Sequence, residues 1–541
     1  MLGLIIPVFL ALYLVYLAFL HPLARYPGPR VAALTNLWKV YHVARGDYEH
    51  AILELHRKHG RIVRIGPNHV DISSGDAVKD VFLAGKSWVK SSFYNGFTAL
   101  RPNIFGTTDE VIHSARKRAL TPGFSMQSVV QMEPHIDACL AKLISRLDRA
   151  ADAGETINLK DWVAFFVIDV LGELAFARSF GMLEQGDVNA MPPLKDHLML
   201  AMLSGQLPWL IPYVNRYLGY APVPYLQRVL EGRGKLRQMA IDCVTARLSK
   251  PEPTRRDLLA KLIEEYERGV AKGGNNEDGT LDIADVQTEA FGFIIAGSHT
   301  TATTITFLFW HLLHNPAVFA KLEHEILSQG PSSGEKSSGS DAAAACTPYS
   351  ATTHLRYLSA AITETHRMSP VFTMPLMRVV PAGGARIGSS TLLPGGTDVS
   401  VCSFALHHDP GVFGGELERF VPERWTTDGE DAGVRQKLLM PFGAGHRACI
   451  GRNLATAEIN KVALCHCGFD RAFESEVDEE RRSTEPRLNH HRPRRRSSAL
   501  AEFIPEARRE DSLAYCHQSV RMHTMSLPLS KFEPFSVDSR I

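Results

Sequence analysis

The segment Phe442-Gly443-Ala444-Gly445-His446-Arg447-Ala448-Cys449-Ile450-Gly451 constrains this chain more than any other. Three glycines surround one thiol, so backbone there can approach a flat partner closely and aim amide N–H groups at the sulfur. Directly afterwards Ala455, Ile459 and Val462 recur at helical spacing, which places Cys449 just before a helix whose N-terminal dipole favours a thiolate. A free cysteine is most often an inert core residue, and that is the plain alternative. Such backbone is also what a thiolate would need to meet a flat porphyrin face-on, the amides tempering its charge. The other cysteines, of eight in all, lack the close, even spacing of a disulfide framework, so reduced thiols are expected.

The 541 residues are 45% hydrophobic and 22% charged with a formal net charge of +1, which suits a large core and lacks the basic excess of a nucleic-acid binder. Residues 2–20 are apolar or aromatic apart from Gly3 and Pro7; as one helix they would span roughly 28 Å, enough for a transmembrane anchor. No basic residue precedes the run and no small-x-small site follows it, which favours retention over a cleaved signal peptide. Arg25 and Arg30 come after it, so the positive-inside rule places the bulk of the chain in the cytosol. Residues 21–30 hold a stiff hinge, Tyr26-Pro27-Gly28-Pro29. Residues 31–463 read as one mainly helical domain with a few short strands, such as Arg61–Ile65 and Val70–Ile72. Within it, 329–350 is a Gly/Ser-rich and then Ala-rich surface insertion. Residues 464–541 form an atypical charged tail with weak periodicity.

Further segments stand in a definite order. Ala296-Gly297-Ser298-His299-Thr300-Thr301 lies in an apolar helical run from Phe291 to Trp310. There the Thr300 hydroxyl can bond the Ala296 carbonyl and Gly297 can ease a bend, making room for water and dioxygen; close packing of small residues is the plain alternative. Glu364 and Arg367 stand three apart on one helix face. The same spacing at Glu265/Arg268, Glu416/Arg419 and Glu479/Arg482 is expected to be ordinary solvated surface. Phe420-Val421-Pro422-Glu423-Arg424-Trp425 lies between Glu364 and Cys449, and His113-Ser114-Ala115-Arg116-Lys117 lies far upstream.

Together these segments resemble the cytochrome P-450 family. Its Phe-x-x-Gly-x-Arg-x-Cys-x-Gly pattern is met at every fixed position by residues 442–451, its Glu-x-x-Arg by Glu364 and Arg367, and its Pro-Glu-Arg-Phe/Trp by Pro422–Trp425. The resemblance implies that Cys449 binds the iron of haem b in a loop shaped by Phe442, Gly443 and Gly451. It implies that Arg447, His113, Lys117 and Arg378 face the haem propionates, with Arg116 or Arg118 as substitutes for Lys117. A solvated basic helix face and a surface strand arginine are the plain alternatives. Glu364, Arg367 and Arg424 would form a buried network for folding and haem retention. Thr300 and His299 would serve proton delivery. His299 stands where the family carries Asp or Glu, and an imidazole with a reference pKa of about 6.5 can itself shuttle protons.

The implied fold is mainly α with a small β-rich lobe, behind a single-pass anchor in the endoplasmic reticulum membrane. The implied partners are a membrane-bound NADPH-cytochrome reductase and cytochrome b5. One atom of dioxygen would enter the substrate and the other leave as water. Residues 94–109, 198–217 and 371–377 are apolar with few charges, which suggests a lipophilic small molecule. The first hundred residues resemble fungal microsomal members, which implies secondary-metabolite biosynthesis. Two readings stay open beside the monooxygenase: an isomerase or dehydratase on the same haem, which Thr300 disfavours, and an inactive haem-binding product of an altered gene model. The second arises because Cys465-His466-Cys467-Gly468 and a charged tail replace the strands that normally close the family's pocket. A Cys-x-Cys metal site is the alternative account of those residues.

Overall fold

The computed structural model describes residues 2–83, 88–155, 157–217, 223–249, 257–271, 281–329, 346–426 and 430–466. Most of the expected insertion and the tail from Cys467 onward lie outside the described residues.

The apolar N-terminal run does not form one spanning helix. Helix α1, Leu2–Val15, is 14 residues long, and Tyr16–Leu20 continues it with π winding. At about 21 Å, α1 is shorter than the hydrocarbon layer. No helix among the described residues is long and apolar enough to cross a membrane. The base of the run is fastened to the domain instead: Leu17 is buried and its carbonyl accepts from Arg64 Nη1 at 3.0 Å. The proline hinge follows the same surface, with the Arg64 N–H donating to the Pro27 carbonyl at 2.7 Å.

Arg64 belongs to strand β1, Ile62–Gly66, which pairs antiparallel with β2, His69–Ile72, with Ile62 opposite Ile72. Four more strands come late in the chain: β3 (Arg378–Val379), β4 (Ala385–Ile387), β5 (Thr391–Leu393) and β6 (Asp398–Ser400). The larger sheet runs β1-β2-β6-β3, with β2 and β6 parallel, and β4 pairs with β5 in a second small sheet. Val70, Ile72, Leu393, Val399 and Val401 form the apolar floor of this lobe.

The helical body is organised by seven further helices that position the site. They are α2 (Glu110–Leu120), α3 (Met126–Ala153), α4 (Leu159–Phe176), α5 (Pro224–Ser249), α6 (Ile283–His314), α7 (Arg356–Met368) and α8 (Arg452–His466). α6 has 32 residues and is about 48 Å long. It starts in a capping box: the Asp282 carboxylate accepts the Asp285 N–H, and the Asp285 carboxylate accepts the Asp282 N–H. Its buried residues fall on every side, as expected of a helix through the middle of a protein. α4, apolar all round as well, lies against it. A Cβ on Gly297 would come within 2.8 Å of Leu171, so this glycine admits a neighbouring helix, and the helical backbone runs unbroken past it. Phe165, Phe166, Ile168, Ile294, Ile305 and Leu308 are central to the shared core.

Candidate active site

The Cys449 loop is fixed by backbone geometry. Gly443 and Gly445 have φ of 68° and 69°, a region that favours glycine, and a Cβ on Gly445 would sit 2.0 Å from the Phe82 carbonyl oxygen. The Cys449 N–H donates to the Phe442 carbonyl at 2.8 Å, closing the loop, and the Phe442 ring packs edge-on against His366 of α7. Asn453, in the first turn of α8, donates to the Phe124 carbonyl at 3.0 Å and so anchors the loop to the helical body. A Cβ on Gly451 would lie 3.9 Å from the Cys449 sulfur, so the glycine leaves space there without being strained.

Cys449 is exposed by surface area, yet burial pushes its thiol above the ordinary cysteine range. Both statements hold for a sulfur on the wall of an interior space, open on one side and enclosed on the others. The Gly451 and Arg452 amides stabilise the thiolate but are outweighed by desolvation. These helix-start amides favour the thiolate, in the direction of the dipole argument, without outweighing burial. A cation bound at the sulfur would further favour the thiolate.

The middle of α6 shows a matching opening. Ala296 and Thr300 are exposed in a helix whose neighbouring turns are buried, so they too face interior space. Thr300 Oγ1 donates to the Ala296 carbonyl at 2.8 Å. His299 lies beside this face, its Nδ1 3.5 Å from Thr303 Oγ1. Burial, helped by Lys160 of α4, lowers its pKa below the ordinary histidine value, so the imidazole is neutral at physiological pH.

Basic groups gather near the cysteine loop from four parts of the chain. His113 is buried on α2, and its Nδ1 has no hydrogen-bond partner among the described residues. Burial, with Arg447 nearby, lowers its pKa to about 3. Arg378 is buried on β3; its Nη1 donates to the Met377 carbonyl at 2.9 Å, and no carboxylate pairs with it among the described residues. Arg447 donates to Glu110 at 2.7 Å and to the Thr107 carbonyl at 3.0 Å, so part of its donor capacity is already used. Lys117 donates to the His446 carbonyl. Arg116 turns away from this group to Asp285 and Glu289 of α6 at 2.7 and 2.9 Å, and Arg118 is exposed.

Lys90, which the sequence reading did not single out, joins the cluster. Burial pushes its ammonium well below the ordinary lysine range, and Arg378 and Arg447 add to that shift. An isolated Lys beside a strand carries no signal of this placement. The cluster sets Lys117, Arg378 and Arg447 against Glu110, with Lys90 beside them over the Tyr94 and Phe105 rings and His113 Nδ1 unpartnered among the described residues. Such an excess of buried cation suits an anionic ligand with two carboxylates, as haem is. Cys449 and, on α6, Ala296 and Thr300 are left uncovered by the fold, as residues facing such a ligand would be. A cavity of about 470 Å³ lined by residues including Ile168, Met182 and Leu236 contains none of these groups.

Behind the loop, Glu364 and Arg367 are completely buried on α7. Arg367 Nε and Nη2 donate to the two Glu364 oxygens at 2.9 Å each, a bidentate pair. Arg424 lies 3.5 Å from Glu364. Trp425 Nε1 donates at 2.7 Å and the Val421 N–H at 3.2 Å, two partners not expected from the sequence. Arg367 also donates to the Leu417 carbonyl at 2.9 Å. The same spacing at Glu265/Arg268 and Glu416/Arg419 forms exposed pairs, and Glu479/Arg482 lies outside the described residues.

Comparison with known proteins agrees over nearly the whole chain. The Cytochrome P450 family model matches residues 27–487. The cytochrome P450 monooxygenase cicH of Emericella nidulans is 32% identical over 476 residues, covering 85% of this chain and 91% of that protein. The benzoate 4-monooxygenase bphA of Aspergillus niger is 30% identical over 508 residues, covering 87% and 92%. The cytochrome P450 monooxygenase gsfF of Penicillium aethiopicum is 31% identical over 491 residues, covering 86% and 91%. Matches of this extent establish that the chain belongs to the cytochrome P450 family, as a haem-dependent monooxygenase that takes electrons from a redox partner.

Proposed function

We propose that this monooxygenase oxidises a lipophilic small molecule of fungal secondary metabolism at the endoplasmic reticulum membrane, with electrons from an NADPH-cytochrome reductase and from cytochrome b5. The observation that carries the reading is the pair of interior openings, one at Cys449 and one at Ala296 and Thr300. Haem held at this site would supply one-electron redox chemistry and dioxygen activation, which a cysteine thiolate ligand favours.

Cys449 supplies that thiolate. His113 Nδ1, Arg378, Lys117 and the remaining donors of Arg447 would hold the propionates, with Lys90 placed beside them. Thr300 serves proton delivery: its hydroxyl hydrogen is engaged by the Ala296 carbonyl, so its oxygen is free to accept from a water. His299, neutral by burial, has one nitrogen to accept and one to donate, and it passes protons in place of the family's carboxylate. Phe97, Phe105 and Phe372 meet edge-to-face and give an apolar substrate wall. Ile6, Phe9, Leu12, Phe19 and Leu20 are exposed on the N-terminal segment, an apolar surface suited to lipid.

Product formation with reductase and isotopically labelled dioxygen tests the proposal. One labelled atom is expected in the product. Turnover without label uptake would indicate an isomerase or dehydratase, and a reduced protein with no carbon monoxide difference spectrum would overturn the haem reading altogether. Carbonate extraction of membranes carrying the full chain tests attachment; release into the soluble fraction would refute an embedded anchor.

A further inference from the structure

Residues 102–107 form a short non-helical stretch that reaches from the central helix to the cysteine loop. At the α6 end, the completely buried Glu289 accepts the Ile104 N–H with both oxygens, at 2.9 and 3.2 Å. The same carboxylate accepts Arg116 Nη1 at 2.9 Å, and Arg116 also donates to the Pro102 carbonyl and, at 2.7 Å, to Asp285. Just before the stretch, Arg101 pairs with Asp282 at 2.7 Å. A Cβ on Gly292 would lie 2.8 Å from Asn103 Nδ2, so the stretch rests on α6 one turn before Ala296. At the far end, the Thr107 carbonyl accepts from Arg447 at 3.0 Å, two residues from Cys449 in sequence. Between the two ends, the Phe105 carbonyl accepts from Lys90 at 2.6 Å, and the Phe105 ring packs against Tyr94, Phe97 and Phe372.

We propose that Glu289 is a positioning residue that fastens residues 102–107 as a strap between α6 and the Cys449 loop, and that this strap sets the size and shape selectivity of the substrate cavity through Phe105. The choice of residue supports this. An apolar side chain would fill the same volume without the cost of burying a carboxylate, a cost seen in a Glu289 pKa raised by burial to about 7. An apolar side chain would not hold a backbone N–H of an irregular segment at a fixed place, and a two-oxygen acceptor does. Arg116 serves the same end by joining the Pro102 carbonyl to two carboxylates of α6. The strap therefore has a defined position relative to both openings of the site, which packing of Phe105 alone would not impose.

The test uses the full-length, haem-loaded protein and three forms: wild type, Glu289→Gln and Glu289→Asp. Glutamine removes the charge opposite Arg116; aspartate keeps it but withdraws the carboxylate from Ile104 by one methylene. Amide hydrogen exchange across residues 102–107 is expected to accelerate about tenfold or more in each variant, the loss of a charge-assisted hydrogen bond. Two iron-ligating probes of different bulk read selectivity: imidazole and the larger 4-phenylimidazole. Dissociation of 4-phenylimidazole is expected to quicken several-fold while imidazole binding stays within about twofold of wild type. A merely structural role would shift both probes alike, and that outcome overturns the proposal. So does strap exchange at the wild-type rate in either folded variant. If Glu289→Gln does not retain haem, the aspartate form decides the matter by the same two readouts.

Discussion

Replacing Glu364 by glutamine isolates the charge of the buried network with almost no change of shape. In the wild type both Glu364 oxygens accept from the Arg367 guanidinium at 2.9 Å, Trp425 Nε1 at 2.7 Å adds a third bond, and the pair is completely shielded from water. Glutamine keeps one acceptor oxygen and turns an NH2 group toward a guanidinium that can only donate. Arg367 is left as a buried cation facing a neutral donor, with Arg424 close behind. Breaking one partner of such a pair costs about 3–5 kcal/mol, against a total stability of roughly 5–15 kcal/mol for a folded domain. Glu364→Gln is therefore expected to move the urea midpoint far down and to lower the haem-bound fraction of expressed protein. Glu265→Gln is the internal control, since Glu265 and Arg268 share the same spacing at 40% and 53% exposure. There water screens the charges, and no resolvable shift is expected. If the two variants shifted the midpoint equally, or if Glu364→Gln unfolded within about 1 kcal/mol of wild type, burial of the charge would not be what holds this region together.

Cys449→Ser should abolish the carbon monoxide difference spectrum characteristic of a thiolate-ligated haem; retention of the wild-type spectrum would remove Cys449 from the iron. His299→Asp should raise product formed per reductant consumed by restoring a carboxylate beside Thr300, and an unchanged ratio would exclude His299 from proton delivery. Acid should destabilise the fold steeply. Burial first, and nearby cations second, lowers His197, His311 and His407 each to about 3. A histidine with a folded pKa below its unfolded value binds its proton on unfolding, so its stabilisation is complete above about pH 6.5 and is lost as pH falls toward 3. Each contributes about 1.4 kcal/mol per pH unit within that window, so the three together lower stability by about 4 kcal/mol per unit below pH 5.5. A urea midpoint that stayed constant from pH 7 to pH 5 would contradict this.

The family and the reaction centre were legible along the chain because their signals are local. The Cys449 loop needs glycines at set offsets, the Thr300 hydroxyl needs a carbonyl four residues earlier, and Glu364 needs an arginine three residues later; each is a spacing within one turn or helix. The mainly helical body was legible through its apolar periodicity. Hydropathy records the apolar run over residues 2–20 but not the docking of Leu17 under Arg64, a contact with β1, or the change to π winding at Tyr16. The role given to Gly297 was likewise incomplete: its missing side chain makes room for Leu171 of α4.

Composition and spacing by themselves determined a thiolate loop, a Thr-bearing central helix and a Glu-Arg pair, because a ligand or a helix face is specified by residues a few positions apart. Only the tertiary structure decided that Trp425 and the Val421 N–H share Glu364 with its arginines, that Lys90 joins the basic residues near the Cys449 loop, and that Arg116 serves Glu289 instead. Those outcomes rest on charge pairing and desolvation between residues far apart in the chain. Their energies are set by the dielectric around the folded groups, and that surrounding does not exist until the helices have packed.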